Sequence, residues 1–356
     1  MSSEAISRSR PVRLGVIGAG LIAQVAHLPL LRGRDADFRL AGLAEHDEAT
    51  RRRVAARFGI PVMAATQREL VAATELDAVL IATPNGAHAD QVLDALAAGL
   101  HVLVEKPLCL SVGDAERIAA ARDRARRVVQ VGYMKRYDPA VEALLDELGD
   151  AELLHVETLT HDPGLRRFFG PDRDTPRVAV PAPAAAAAAA RTRQERWWSE
   201  LFLGALVHDV NLVHAVLERL GIRAERVADA FTGDDRAGGT LALSGGARWS
   251  AVWLALPAVA AFRERISFYC ADGIRRLEFP APYLLHAPTT YTRTRGEGDR
   301  IRSSFDEAYD RGLAHFRACL AGESACRTPP EQALRDIVLL EELFAVATAV
   351  PAEAAA

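Results

Sequence analysis

The 356-residue sequence predicts two domains: an N-terminal α/β domain on a parallel sheet, then a C-terminal α+β domain on a large, mostly antiparallel open sheet. An apolar, β-branched run at 12–17 enters a glycine turn, Gly18-Ala19-Gly20, and continues as a helical pattern. Residues 12 to about 133 then alternate short apolar runs with helical stretches, which implies βαβ units with right-handed crossovers. Beyond Asp138-Pro139 the runs lengthen and carry two hairpin signals, Gly245-Gly246 and Ala271-Asp272-Gly273.

In chain order, strands are expected at 12–17, 38–44, 78–82, 101–104 and 128–132. Helices fall between them, at 47–58 and at 86–98, the latter closed by Gly99. A helix at 139–148 precedes a strand at 152–160, and another helix spans about 200 to 220, ending before Gly221. Hairpin strands follow at 240–244 with 247–256 and at 265–270 with 274–279. Segments 303–322 and 329–348 are helical by period and are expected to pack back on the first domain. The expected divisions are 1–135 for the first domain, 136–322 for the second, and 323–356 for a returning C-terminal helix and tail. Within the second, 165–195 is a long excursion holding Pro181-Ala182-Pro183 and seven alanines, Ala184 to Ala190. It reads either as a lid, with Arg166, Arg167, Trp197 or Trp198 as contacts, or as a tolerated surface insertion.

A net charge of −4 gives no reason to expect nucleic acid or an anionic membrane as partner. Four scattered cysteines (Cys109, Cys270, Cys319, Cys326) include no CxxC pair, which argues against a zinc site or a disulfide framework and fits a reducing cytoplasm. The stretch from Met1 to Pro11 is polar, with no secretory apolar core, and no run of ~18 apolar residues suggests a bilayer span. No His/Asp/Glu cluster has ligand spacing, so no metal is expected.

Chemistry concentrates at the ends of the parallel strands. Gly18 allows the tight turn, Gly20 lets a pyrophosphate approach the backbone, and Ala23 permits close helix–strand packing. Leu21 and Ile22 open a helix whose N-terminal N–H groups suit the phosphates of a dinucleotide. Glu45 ends the second strand, where an acidic side chain accepts ribose hydroxyls; this favours NAD, with NADP as the alternative if Arg51, Arg52 or Arg53 serves a 2′-phosphate. The plainer reading of those arginines is a solvated helix face. Thr83, Asn85 and His88 follow the next strand and are cofactor-cleft candidates, although His88 also suits an ordinary surface helix position. Glu105-Lys106-Pro107 ends a further strand, and a lysine there is placed to polarise a substrate oxygen; the plainer reading is a surface lysine closing a strand. His208 lies on an apolar helix, where a lone histidine is more often a satisfied core residue. His214 shares that ambiguity and is given no role.

Taken together, these residues resemble the Gfo/Idh/MocA oxidoreductases, and within them the myo-inositol dehydrogenase-like branch. The resemblance rests on Gly18-Ala19-Gly20-Leu21-Ile22-Ala23, Glu105-Lys106-Pro107, the segment from Val131-Gly132-Tyr133 to Tyr137-Asp138, Thr160-His161-Asp162-Pro163, Leu206-Val207-His208-Asp209 and Phe305-Asp306-Glu307-Ala308-Tyr309-Asp310. It implies an N-terminal Rossmann domain and an open-sheet second domain that commonly builds homodimers or homotetramers. It further implies NAD(P)-dependent interconversion of a secondary alcohol and a ketone on a polyol, sugar or cyclitol. By the same resemblance, His208 takes the hydroxyl proton while Lys106 hydrogen-bonds that oxygen. Glu105 and Lys106 also border the cofactor, and Tyr133, Lys135, Arg136, His161 and Tyr309 lie near the substrate. One departure stands out: Gly204 occupies the place of the usual aspartate one turn before the histidine, and Asp209, about 100° around the helix, does not substitute. That departure sustains an alternative, a catalytically divergent nucleotide-binding sensor or partner protein of the same fold.

Overall fold

Strands buried on both faces read as unbroken apolar runs, because helices cover a parallel sheet from either side. This describes β1 (Val12–Ile17), β2 (Phe38–Ala44), β3 (Val62–Ala64), β4 (Ala78–Ile81), β5 (His101–Val104) and β6 (Val129–Val131) in the computed structural model, which describes residues 5–163, 191–282, 284 and 286–349. They pair in parallel in the order β3-β2-β1-β4-β5-β6. The order reverses between β1 and β4, so the crevice beyond their C-terminal ends is where this architecture binds ligands. β3 was not anticipated, since three residues make too short a run to register as a period.

The connecting helices begin where their caps dictate. After β1, α1 runs through a π-helical turn (Ala23–His27) into Leu28–Arg32. α2 (Glu48–Phe58) starts at Asp47, whose side chain accepts from Thr50 N, and ends at Gly59 with φ 68°. α3 (Gln67–Ala73) is capped by Thr66, α4 (His88–Ala97) follows a short turn at Asn85–Ala87, and α5 (Val112–Ala125) is capped by Ser111.

The second unit contains α6 (Pro139–Asp146), capped by Asp138, then β7 (Leu153–Asp162) and the long α7 (Arg193–Arg219), wound as a π-helix over Trp197–Leu206. The remaining strands are β8 (Ala224–Thr232), β9 (Arg236–Leu243), β10 (Arg248–Ala255), β11 (Arg263–Cys270), β12 (Gly273–Phe279), β13 (Thr289–Arg295) and β14 (Gly298–Ser304). Their order is β14-β13-β12-β11-β7-β10-β9-β8, antiparallel except for β7 with β10. Alternation buries Val156, Thr158, Trp249, Ala251, Ile266, Phe268, Leu277 and Tyr291. Both hairpins fall at the glycine signals. β8, β13 and β14 escaped the sequence reading because β8 and β14 are exposed along most of their length and β13 is polar throughout, so none shows an apolar period.

Two helices close the chain, α8 (Ala308–Leu320) and α9 (Pro330–Ala349). α8 sends Leu313, Phe316 and Leu320 into the core of the first unit with Val12, Leu14 and Phe38. Residues from Tyr309 to Arg335 group with that unit, so the expected boundary at 322 moves back to 308. From Asp336 onward α9 groups with the second unit, which corrects the expectation that all of 323–356 packs on the first. The reason is local: Asp336 is fully buried and takes its donors from His214 and Asn211, while Phe344 packs edge-on to Phe202.

A second correction concerns α7. By length and composition it is apolar enough to cross a membrane, with mean hydropathy 1.4 over its best window. That window is 72% buried within the protein, which accounts for its apolar character as that of a core helix. Most of the Pro/Ala-rich excursion, with Arg166 and Arg167, lies outside the described residues.

Candidate functional site

In the first unit the glycine turn has the geometry a dinucleotide requires. Gly18 adopts φ 90°, and a Cβ there would stand 2.6 Å from the Ala82 carbonyl oxygen, so no other residue fits without moving β4. Gly20 is different: a Cβ would meet only Ala82 O, at 3.8 Å, so its glycine leaves the backbone bare rather than relieving a clash. Buried Gln24, on α1, donates to Ala19 O at 2.6 Å and fixes the turn from behind. Leu21 and Ile22 lie half-buried at the helix opening.

Glu45 sits at the end of β2 as expected, with Oε2 accepting from Ala19 N (2.8 Å) and Oε1 from Asp47 N (3.1 Å). Its carboxylate therefore ties the glycine turn to the start of α2. The three arginines separate cleanly. Arg51 donates to the Glu45 carbonyl, Arg52 pairs with Glu48 on an exposed face, and Arg53 reaches Thr50 Oγ1. Only Arg51 stands beside the acidic strand end.

Thr83 donates its hydroxyl to Gln91 Oε1 at 2.5 Å, and Asn85 is half-buried in the turn after it. His88 is placed differently from the expectation. It is 0% exposed, with Nδ1 2.7 Å from Pro107 O and Nε2 2.9 Å from Thr83 O. Both ring nitrogens face backbone carbonyls, to one of which the neutral imidazole donates; burial lowers its pKa, with the two carbonyls opposing. His88 ties the loop after β4 to the one after β5 through those two carbonyls.

Glu105 is also a support. Its Oε1 meets His27 Nε2 at 2.6 Å and its Oε2 accepts from Lys106 N at 3.1 Å. Burial would push this carboxyl up, yet the hydrogen bond and charge of His27, with Lys106, hold it below the ordinary range. Gly132 makes room for it, since a Cβ there would lie 3.3 Å from the Glu105 carboxyl. Lys106 is half-buried, and desolvation lowers its pKa against the pull of Glu105, which eases proton sharing at Nζ. Tyr309 stands edge-on to His27, with ring centroids 5.5 Å apart, and Tyr133 is buried. His27 was missed: one histidine in an apolar helix carries no signal that separates it from an ordinary core residue.

The second unit holds a buried polar cluster. Lys135 donates to Glu264 Oε1, lies 3.7 Å from Asp209 Oδ1, and sits 4.8 Å over the Phe279 ring. Thr160 Oγ1 donates to Asp209 Oδ2 at 3.2 Å, and burial raises the Asp209 carboxyl although Lys135 opposes this. One ammonium therefore faces two carboxylates in a dry setting. Asp209 is spent on these partners and does not take the place left by Gly204. Arg136 reaches Asn211 at 3.4 Å, and Asn211 and His214 both bind Asp336 at 2.6 Å, so His214 is structural. His208 is half-buried, four residues after Gly204. On β7 strand alternation puts Thr160 on the face that meets Asp209, and the neighbouring His161 is half-buried. Glu264 was legible in principle, because it shares the inward face of β11 with Ile266 and Phe268. Of the two tryptophans weighed as contacts, Trp197 donates to Asp234 and Trp198 packs on Phe202 and Phe344. Among the described residues no group of three His, Cys, Asp or Glu side chains is arranged to hold a metal.

Residues 12–133 match the family model of the Gfo/Idh/MocA oxidoreductases, described as an oxidoreductase family with an NAD-binding Rossmann fold. An inositol 2-dehydrogenase of Gluconacetobacter diazotrophicus is 38% identical over 150 residues, 40% of this chain and 44% of that protein. The chain thus spans less than half the length of that relative. Among solved structures, apo scyllo-inositol dehydrogenase from Lactobacillus casei superposes with TM-score 0.72 at 17% identity, covering 96% of this chain and 97% of that one. A 3-ketoreductase from Actinomadura kijaniata, solved with NADP and TDP-benzene, gives TM-score 0.74 at 18% identity over 95% and 98%. At these identities the structures speak for the fold.

Proposed function

We propose that the chain, whose residues 12–133 match the Gfo/Idh/MocA oxidoreductase family with its NAD-binding Rossmann fold, is an NAD(P)-dependent dehydrogenase. Its substrate class in this reading is a secondary alcohol of a cyclic polyol, sugar or cyclitol, interconverted with the ketone. The observation that carries the reading is Lys106. It is a lysine of lowered pKa at a parallel strand end, anchored through its own N–H to a buried carboxylate that His27 holds.

The glycine turn and Glu45 fit the dinucleotide: Gly18 and Gly20 present bare backbone, and Glu45 supplies the acceptor at the ribose position. When bound, the nicotinamide supplies the hydride acceptor or donor. Lys106 Nζ hydrogen-bonds the substrate oxygen and stabilises charge developing there, and His208 takes the hydroxyl proton on oxidation and returns it on reduction. Tyr133, Lys135, Arg136 and Tyr309 belong to the substrate side in this proposal, with Lys135 acting through the Glu264–Asp209 cluster. NAD is the favoured cofactor because of Glu45, and NADP use would draw on Arg51. The protein is proposed to be a cytoplasmic homodimer or homotetramer.

The test is reduction of NAD and of NADP against inositols, aminocyclitols and sugars. Turnover in the parent that is lost in Lys106→Ala and His208→Ala supports the proposal. Tight NAD binding with no turnover across the panel overturns it in favour of a ligand sensor, the reading that Gly204 keeps in play.

A further inference from the structure

We propose that the hollow at the N-terminal end of β2 is a second ligand site, which takes an aromatic acid carrying a hydroxyl group. The hollow measures about 470 Å³, a size ordinary for small-molecule sites. It lies among the end of α1, the first residues of β2 and the end of α2, all within the first unit. Phe38, Leu40 and Phe58 give it an apolar wall, and Arg32, Arg39 and Asp35 bring charge to it. The dinucleotide turn and Glu45 stand at the other end of β2; at ~3.3 Å per residue, Arg39 and Glu45 are ~20 Å apart.

Two guanidiniums at this end of the sheet are left without a counter-charge. Arg8 binds Glu323, Arg10 binds Asp77, Arg13 binds Glu75 and Asp77, and Arg34 binds Asp37 and Asp310. Among the described residues Arg32 and Arg39 have neither an ion pair nor a hydrogen bond, and both line the hollow. Arg32 occupies the last turn of α1, where the carbonyl end of a helix favours a cation. Arg39 has no such partner: it lies between Phe38 and Leu40, and its neighbour on β1 is Arg13, whose acids are already engaged.

Two planar forks beside an apolar wall suit a carboxylate joined to a flat ring. The Phe58 ring is half-buried and steadied by Arg57, whose guanidinium lies 5.1 Å from its centroid, so the wall keeps a fixed aromatic edge. Asp35 forms no ion pair with either arginine. The three charges therefore stand apart, and each can meet a different group of one ligand. An acid needs the arginines, a hydroxyl donor satisfies Asp35, and the ring between them covers Leu40 and Phe58. A second acidic group on the ligand is disfavoured, because Asp35 would repel it.

The full chain is titrated by calorimetry with 4-hydroxybenzoate, benzoate, phenol and inorganic phosphate, with and without saturating NAD. The expected result is saturable binding of 4-hydroxybenzoate at one site, unchanged by NAD. Phenol and phosphate each lack half of the contacts and should bind at least ~10-fold more weakly. Arg32→Ala and Arg39→Ala change exposed side chains and should weaken 4-hydroxybenzoate at least ~10-fold while leaving NAD binding at the parent value. Asp35→Ala should remove the preference for 4-hydroxybenzoate over benzoate. No saturable binding, phosphate binding as tight as the aromatic acid, binding that NAD abolishes, or parent affinity in both arginine variants overturns the proposal.

Discussion

Replacing His27 by phenylalanine isolates the support beneath Lys106. The pair it breaks is buried, with the His27 and Glu105 side chains 5% and 8% exposed. Glu105 would keep the Lys106 charge and N–H, the latter at 3.1 Å, against the cost of a carboxylate in a dry site. Removing one partner of such a pair costs about 3–5 kcal/mol, whereas the same change at a water-screened surface pair such as Arg8–Glu323 costs little. Phenylalanine retains a ring to face Tyr309, so the loss is chiefly electrostatic. Its pH dependence follows from direction. In the parent the Glu105 carboxyl lies below its ordinary value of 4.5, so its contribution is complete above that value and is lost as pH falls through the depressed one. In His27→Phe burial prevails and raises the carboxyl, so the variant loses stability as pH rises through 4.5 toward the raised value. The deficit should therefore shrink on acidification. Urea unfolding at neutral pH and near pH 4.5 measures it; a neutral-pH deficit below about 1 kcal/mol, or one equal at both pH values, would refute the buried-pair account.

Gly18→Ala forces a Cβ to 2.6 Å from Ala82 O at φ 90°; strain of ~1–3 kcal/mol and a displaced turn should weaken NAD binding at least ~10-fold, and an unchanged Kd by fluorescence titration would contradict this. Asp336→Ala orphans two buried donors on α7, Asn211 and His214, and should cost about 2–4 kcal/mol, read as a lowered Tm; a Tm equal to the parent's would show that these bonds carry little. Gly204→Asp places its Cβ 3.2 Å from Ser199 O, a contact that a shift of a few tenths of an ångström relieves, so the variant should fold with a stability change within ~1 kcal/mol. If His208 is the base, the new carboxylate should raise kcat on simple inositols, and an inert variant beside an active parent would show that the site is adapted to do without it.

The parallel sheet was readable because burial on both faces writes itself into the sequence as apolar runs, and glycine at Gly18 leaves the mark of a φ that side chains resist. The strands β8, β13 and β14 were not, because exposure of β8 and β14 and the polar sequence of β13 remove the apolar period by which strands are recognised. Site residues divide the same way. Lys106 and Glu45 stand at strand ends, where the architecture assigns a position to each. The partners of His88 and Glu105 were not legible, because how a polar side chain at a strand end is held depends on distant groups, Pro107 O for one and His27 for the other. His27 and Asp336 left no local trace.

The most direct test of hydride transfer is isotopic. The protein is incubated with NAD and an inositol carrying deuterium on its carbinol carbons, and the reduced cofactor is weighed by mass spectrometry. The account predicts that one deuterium appears on the nicotinamide ring of NADH in the parent, and that none appears with Lys106→Ala or His208→Ala above the uncatalysed background. NADH formed without deuterium, or deuterium transfer at the parent rate in both variants, would contradict it.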